Sequence, residues 1–120
     1  MFDLNRAEKI YIAVGYTDLR RGIDGFASMI QSTFHMNPQT RSLFIFCGRR
    51  TDRIKALFWD LDGYILLYKR LEGGRYQWPR TTEELMQLVE LNPQQFRWLM
   101  EGLSIYQKNS IKPIRENLIF

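Results

Sequence analysis

Arg53–Trp59 and Tyr64–Leu71 are two aliphatic and aromatic runs of strand length, separated only by Asp60-Leu61-Asp62-Gly63. An Asp-Gly pair between such runs is a strong short-range signal for a β-hairpin. This pairing constrains the chain more than any other feature. Side chains alternate faces along a strand, and the loop length decides which residues of the two strands share a face. With a loop of two residues (Asp62, Gly63) or four (Asp60–Gly63), one face gathers Ile54, Ala56, Phe58, Ile65, Leu67 and Leu71, with Lys69 as its only charge. That is a core face. The opposite face gathers Arg53, Lys55, Leu57 and Trp59 beside Tyr64, Leu66, Tyr68 and Arg70, and reads as an open surface of cations and rings. A loop of three residues would mix the two sets.

The rest of the chain supplies what such a hairpin needs in order to be buried. Lys9–Val14 is short, apolar and β-branched, and predicts a first strand ending at Gly15. Ile23, Phe26, Ala27, Ile30 and Phe34 recur at helical spacing behind Thr17 and Asp18, which are good cap residues. Leu43–Cys47 predicts a central strand, since it is too apolar for an exposed edge. After the turn at Glu72-Gly73-Gly74, Arg75–Trp78 reads as a further short strand. Thr81 with Glu84 offers a capping box for a helix continuing through Leu85, Leu88 and Val89. Asn92-Pro93 opens a last helix, with Phe96, Leu99, Met100 and Leu103 on its apolar side. The expected fold is α+β: a single domain over residues 1–106, an antiparallel β-meander with helices packed on one face. Residues 107–120 show no periodicity and read as a tail or a partner-docking arm.

At 120 residues the chain can bury about two-thirds of its unfolded surface, enough to fold without metal or disulfides. Its one cysteine cannot form a disulfide framework. It has neither an apolar run long enough to cross a bilayer nor the opening of a signal peptide, so a cytoplasmic protein is expected.

The net charge of +4 is small, but it is unevenly placed. Residues 1–40 and 81–120 are close to balanced. Residues 41–80 carry Arg41, Arg49, Arg50, Arg53, Lys55, Lys69, Arg70, Arg75 and Arg80 against Asp52, Asp60, Asp62 and Glu72. A localised basic field is the electrostatic footprint of a nucleic-acid binder. On the hairpin, Arg70 falls opposite Lys55 or Arg53, and like charges across strands cost stability unless an anion lies over them. Cations among rings suit phosphate contact combined with base stacking. The expected contacts are therefore Arg49, Arg50, Arg53, Lys55 and Arg70 to phosphates, with Arg75 and Arg80 extending the track and Trp59, Tyr64 and Tyr68 offering aromatic surface. A protein-binding face, or an ordinary face covered by helix or solvent, stays open beside this reading.

Candidates for catalysis are weak. His35, the only histidine, precedes a proline turn with no carboxylate or thiol motif around it. Cys47 lies in an apolar strand, as a small core residue would. Asp60 and Asp62 flank a turn and read as turn formers rather than metal ligands. Gly15-Tyr16-Thr17-Asp18-Leu19-Arg20-Arg21-Gly22 reads first as a structural loop and second as a binding loop. No catalytic residue, metal or cofactor is expected.

Several ordered segments resemble a known family. They are Gly15-Tyr16-Thr17-Asp18-Leu19-Arg20 with Gly22-Ile23-Asp24-Gly25, the run Leu43–Lys55, Trp59-Asp60 with Asp62-Gly63-Tyr64, Lys69–Glu72 with Gly74-Arg75-Tyr76 and Trp78-Pro79, and Phe96–Leu103. Together they span about residues 9–105. The chain resembles the TnpB accessory proteins, products of the second open reading frame of insertion-sequence family sixty-six. The turn at Gln39-Thr40, Leu61 and the segment Lys108–Phe120 depart from the family pattern. The resemblance implies an accessory protein for transposition of a bacterial mobile element. Strand cutting and joining would belong to a separate transposase. DNA and that transposase are the expected partners, and an adapter that docks the transposase or a sister accessory protein without touching DNA is the alternative.

Overall fold

The structure, a computed structural model, describes residues 3–80 and 87–107. Lys9–Ala13 (β1) leads through the helix Ile23–Ser32 (α1) into Ser42–Cys47 (β2). Arg53–Asp60 (β3) and Gly63–Arg70 (β4) follow, then Leu88–Leu91 (β5) and the helix Pro93–Met100 (α2). The strands form one sheet in the order β4-β3-β2-β1-β5, antiparallel except for the pair β1–β2. The α+β class and the central place of β2 are as the sequence implies. The simple meander is not, because β1 and β2 run parallel. Parallel neighbours cannot be joined by a tight turn and need a crossover, which α1 supplies.

Every residue of β2 is buried, so both faces of the sheet must be covered. Ile12, Ile45, Ala56 and Leu67 stand in line across the strands and belong to one apolar cluster, closed by Leu91, Leu99, Tyr76 and Trp78. Tyr11, Phe44, Leu57 and Leu66 stand in the next line and belong to the other cluster, closed by Phe26, Met29 and Ile30 of α1. The two helices therefore lie on opposite faces, not on one. The predicted greasy face of the hairpin is the α2 side. The predicted open face is covered in its middle by α1.

The hairpin register pairs Arg53 with Arg70, Trp59 with Tyr64 and Asp60 with Gly63, leaving a two-residue turn of Leu61 and Asp62. Both face assignments follow from that register. Leu61 takes the left-handed conformation (φ 59°) and its side chain is largely in solvent.

Four further expectations need correction. Leu88 and Val89 are strand residues in β5, where they pair with Ala13 and Ile12. A free edge on β1 and the alternation of Leu88 and Glu90 with Val89 and Leu91 override helical spacing there. The capping box at Thr81 and Glu84 lies outside the described residues, as does the tail from residue 108 onward. Arg75–Trp78 is irregular backbone, yet it keeps a strand's alternation, with Tyr76 and Trp78 buried and Arg75 and Gln77 exposed. Its Tyr76 N–H donates to the Thr51 carbonyl at 2.7 Å, and the Trp78 indole N–H donates to the Ala13 carbonyl at 2.8 Å. Finally, α1 is capped at Gly22 without a side-chain bond, so Thr17 and Asp18 do not cap it. Asn92 does cap α2, in a capping box with Gln95. Beyond α2, Leu103 is exposed and Ile105 takes the core position instead. Among the described residues no helix is long and apolar enough to cross a membrane.

Two stability measurements follow. Leu61→Gly is expected to stabilise the protein by about 1 kcal/mol, by removing the cost of a left-handed L-residue. Trp78→Phe strips the buried Ala13 carbonyl of its donor and is expected to cost about 1–3 kcal/mol. Denaturant midpoints at constant m-value read both.

Candidate nucleic-acid interface

Because β1 and β2 run parallel, the loops that leave their carboxyl ends emerge at the same end of the sheet. In open α/β sheets this is where ligands bind. The loop after β1 is pinned at both sides: Gly15 N–H donates to the Pro79 carbonyl at 2.9 Å, and Thr17 N–H donates to the Cys47 carbonyl at 2.8 Å. Gly15 makes the turn at φ 85°, a conformation that favours glycine. The loop after β2 packs against it so closely that a Cβ on Gly48 would stand 3.2 Å from Leu19 Cδ1. Thr51 closes that second loop at φ 57°, a costly conformation for a β-branched residue. Backbone strain of this kind tends to gather at binding sites.

Between these loops and the adjoining ends of β3 and β4 is a cleft of about 970 Å³. Arg20, Arg49, Arg50, Arg53 and Lys55 line it, together with Tyr16, Thr17 and Tyr68. Carboxylates partly neutralise the group. Asp18 accepts from the Arg20 backbone N–H and holds its guanidinium at 2.8 Å. That hydrogen-bonded partner keeps the Asp18 carboxyl well below the usual carboxylate range. Asp52 holds Arg53 at 2.9 Å, and its carboxyl is lowered by the same kind of contact. Three other cations, Arg49, Lys55 and Arg80, are positioned by neutral groups. Arg49 and Arg80 each place a guanidinium 5.2 Å from the centre of the Tyr16 ring. Lys55 lies 5.7 Å from the Tyr68 ring and donates to the Arg21 carbonyl at 3.3 Å. Rings hold these charges without cancelling them.

Thr17 is 6 % exposed, and its hydroxyl has no hydrogen-bond partner among the described residues. An orphaned buried hydroxyl costs about 1–3 kcal/mol and calls for an explanation. Cys47, at the end of β2, is fully buried. Loss of solvation, with the Asp52 charge adding to it, pushes its thiol up to about 12.

The structure thus gathers five of the residues read from the sequence, namely Arg49, Arg50, Arg53, Lys55 and Tyr68, with Arg80 joined through Tyr16. Arg70 faces Arg53 across the strands but is turned to Glu72 at 2.9 Å, as Arg53 is to Asp52. Their mutual repulsion is relieved within the protein, so the pair by itself does not call for an external anion. Arg75 is exposed on the loop that carries Tyr76, outside the cleft lining. Trp59 and Tyr64 meet edge to face at 4.9 Å at the far end of the hairpin. Tyr64 packs beneath α1, and Trp59 borders a smaller recess where Arg6 pairs with Asp60 at 2.7 Å. Asp62 is exposed in the turn, and His35 lies three residues beyond the end of α1 in a left-handed conformation (φ 55°). Among the described residues no three His, Cys, Asp or Glu side chains are grouped to hold a metal. The role of Tyr16 was not legible from its own neighbourhood. The signal that could have found it is a glycine-bounded loop at the carboxyl end of a strand followed by a crossover helix.

The Cys47 environment predicts an alkaline limit to stability. The unfolded chain forms thiolate from about pH 8.5, whereas the fold holds its proton until about 12. Above pH 8.5 the native state binds more protons, so unfolding free energy should fall as pH rises and level off above 12. The Tyr76 phenol, raised by burial, acts in the same direction. Cys47→Ala should make the decline shallower in denaturant titrations run across that range.

The family model described as IS66 Orf2 like protein matches residues 8–110. Two uncharacterised proteins of Sinorhizobium fredii are similar along most of their length. One, y4jC, is 29% identical over 115 residues, covering 96% of this chain and 95% of the relative. The other, y4hO, is 33% identical over 95 residues, covering 79% of this chain and 80% of the relative. No solved structure matches. With that model spanning the sheet, both helices and the basic cleft, the chain belongs to the IS66 Orf2-like family.

Proposed function

We propose that this protein is a non-catalytic accessory factor for transposition of a bacterial insertion sequence, and that it binds DNA through the cleft at the carboxyl ends of β1 and β2. Family membership supports the transposition role. The DNA-binding part is carried by one observation: cations from separate chain segments converge on one cleft, and among the described residues Arg49 and Lys55 within it and Arg80 beside it, across Tyr16, are held by rings instead of carboxylates. Selection for stability alone would favour acidic partners. Leaving positive charge uncompensated in one place suits a polyanion that brings the compensation with it. Compared with the sequence reading, the proposed interface shifts from the whole hairpin face to one end of it. Trp59, Tyr64, Arg70 and Arg75 drop out, and the Tyr16–Arg20 loop enters.

Among the described residues, Arg49, Arg50, Lys55 and Arg80 are in none of the ion pairs at the cleft. If these four meet four phosphates of a duplex, log affinity against log salt should fall with a slope of about −3.6. Arg49→Ala/Arg50→Ala should weaken binding across sequences and make the slope shallower by about 2. Fluorescence anisotropy with element-end and unrelated duplexes reads both quantities. Affinity indifferent to salt would sink the reading. Retention of the transposase at high salt, without DNA and with no DNA affinity of its own, would transfer the assignment to a protein adapter.

A further inference from the structure

We infer that the cleft seats one unpaired nucleotide of a DNA strand, so the protein prefers DNA carrying a single-stranded segment to continuous duplex. This rests on the DNA-binding reading above and specifies its substrate. Three observations lead to it.

The first is size. A recess of about 970 Å³ is at the upper end of the roughly 300–1,000 Å³ that holds small ligands. It takes a nucleotide and excludes a double helix, which could touch only the rim.

The second is its aromatic content. Tyr16 and Tyr68 are 44% and 54% exposed, and they stand on the β1 and β4 sides of the cleft, with β2 and β3 between them. Exposed rings beside cations are how single strands are held without sequence preference, each base offering a face to stack on. The guanidiniums against Tyr16 extend that surface, since planar cations also stack on bases. A duplex keeps its bases stacked on one another and cannot use these rings.

The third is Thr17. Its hydroxyl is buried, lacks a partner, and belongs to a residue lining the cleft. A phosphate or sugar oxygen drawn in by Arg53 and Lys55 would supply the missing hydrogen bond. Rim arginines alone account for contact with a continuous backbone. They give no reason for an orphaned hydroxyl in its lining, nor for rings that, besides holding cations, stay about half exposed.

The test is anisotropy at one salt concentration with four probes: a blunt duplex, the same duplex with a single-stranded extension, the isolated strand, and deoxythymidine monophosphate as competitor. The extended duplex and the strand should bind on the order of tenfold more tightly than the blunt duplex. Tyr68→Ala and Thr17→Val should each bring affinity for extended DNA down toward that of blunt DNA, and Thr17→Ser should restore the preference. Thr17→Val should melt no lower than the parent, because an apolar group of the same shape replaces an unsatisfied hydroxyl. Equal affinity for blunt and extended DNA would overturn this inference and leave DNA binding standing. Absence of binding to every DNA would overturn both. Tight binding of the mononucleotide with none to strands would assign the cleft to free nucleotides and overturn the strand proposal.

Discussion

Burial of β2 on both faces is the constraint from which the architecture follows. Its alternating side chains feed two clusters, Leu43, Ile45 and Cys47 on one side and Phe44 and Phe46 on the other. A strand in that position needs a partner on each edge and a layer on each face. The hairpin strand β3 fills one edge and β1 the other. Since β1 arrives parallel, the chain must cross over the sheet, and α1 becomes the cover of one face. The second face falls to α2 and to the irregular segment bearing Tyr76 and Trp78. The same parallel pairing brings the two loops together at one end, so the cleft is a by-product of how the core is closed.

What could be read from residues alone was what depends on local chemistry. The hairpin and its two faces follow from alternation and a short turn. The cap and proline at Asn92-Pro93 specify the start of α2, and the apolar density of Leu43–Cys47 makes it central. What could not be read depends on partners distant in sequence. Leu88 and Val89 look helical until β1 offers an edge. Tyr76 and Trp78 look like a strand, but Tyr76 donates its backbone N–H to the Thr51 carbonyl and Trp78 its indole N–H to the Ala13 carbonyl, and neither bond belongs to a ladder. The faces of the hairpin were legible, but not the fate of the polar one, because α1 buries Leu57 and supports Leu66 on it. For the site, the arginines were visible as a charge surplus, while their convergence with the Tyr16–Arg20 loop needed the parallel pairing.

The division of labour within the cleft fits a protein that acts beside an enzyme. Rigid strands carry Arg53, Lys55 and Tyr68, and two short loops locked together at Gly48 and Leu19 carry the rest. A site built on such fixed elements has little ordering entropy left to lose on binding.

The Tyr16 ring carries a wider lesson about how a surface stays basic. A glutamate in its place would steady Arg49 and Arg80 equally well and would erase one of their two charges. A phenol ring fixes both guanidiniums and subtracts nothing. Two cations gathered round one neutral centre leave a local positive field that a carboxylate there would have halved. Tyr16 therefore spaces the two guanidiniums with its ring, and this contact uses its aromatic face, not its hydroxyl.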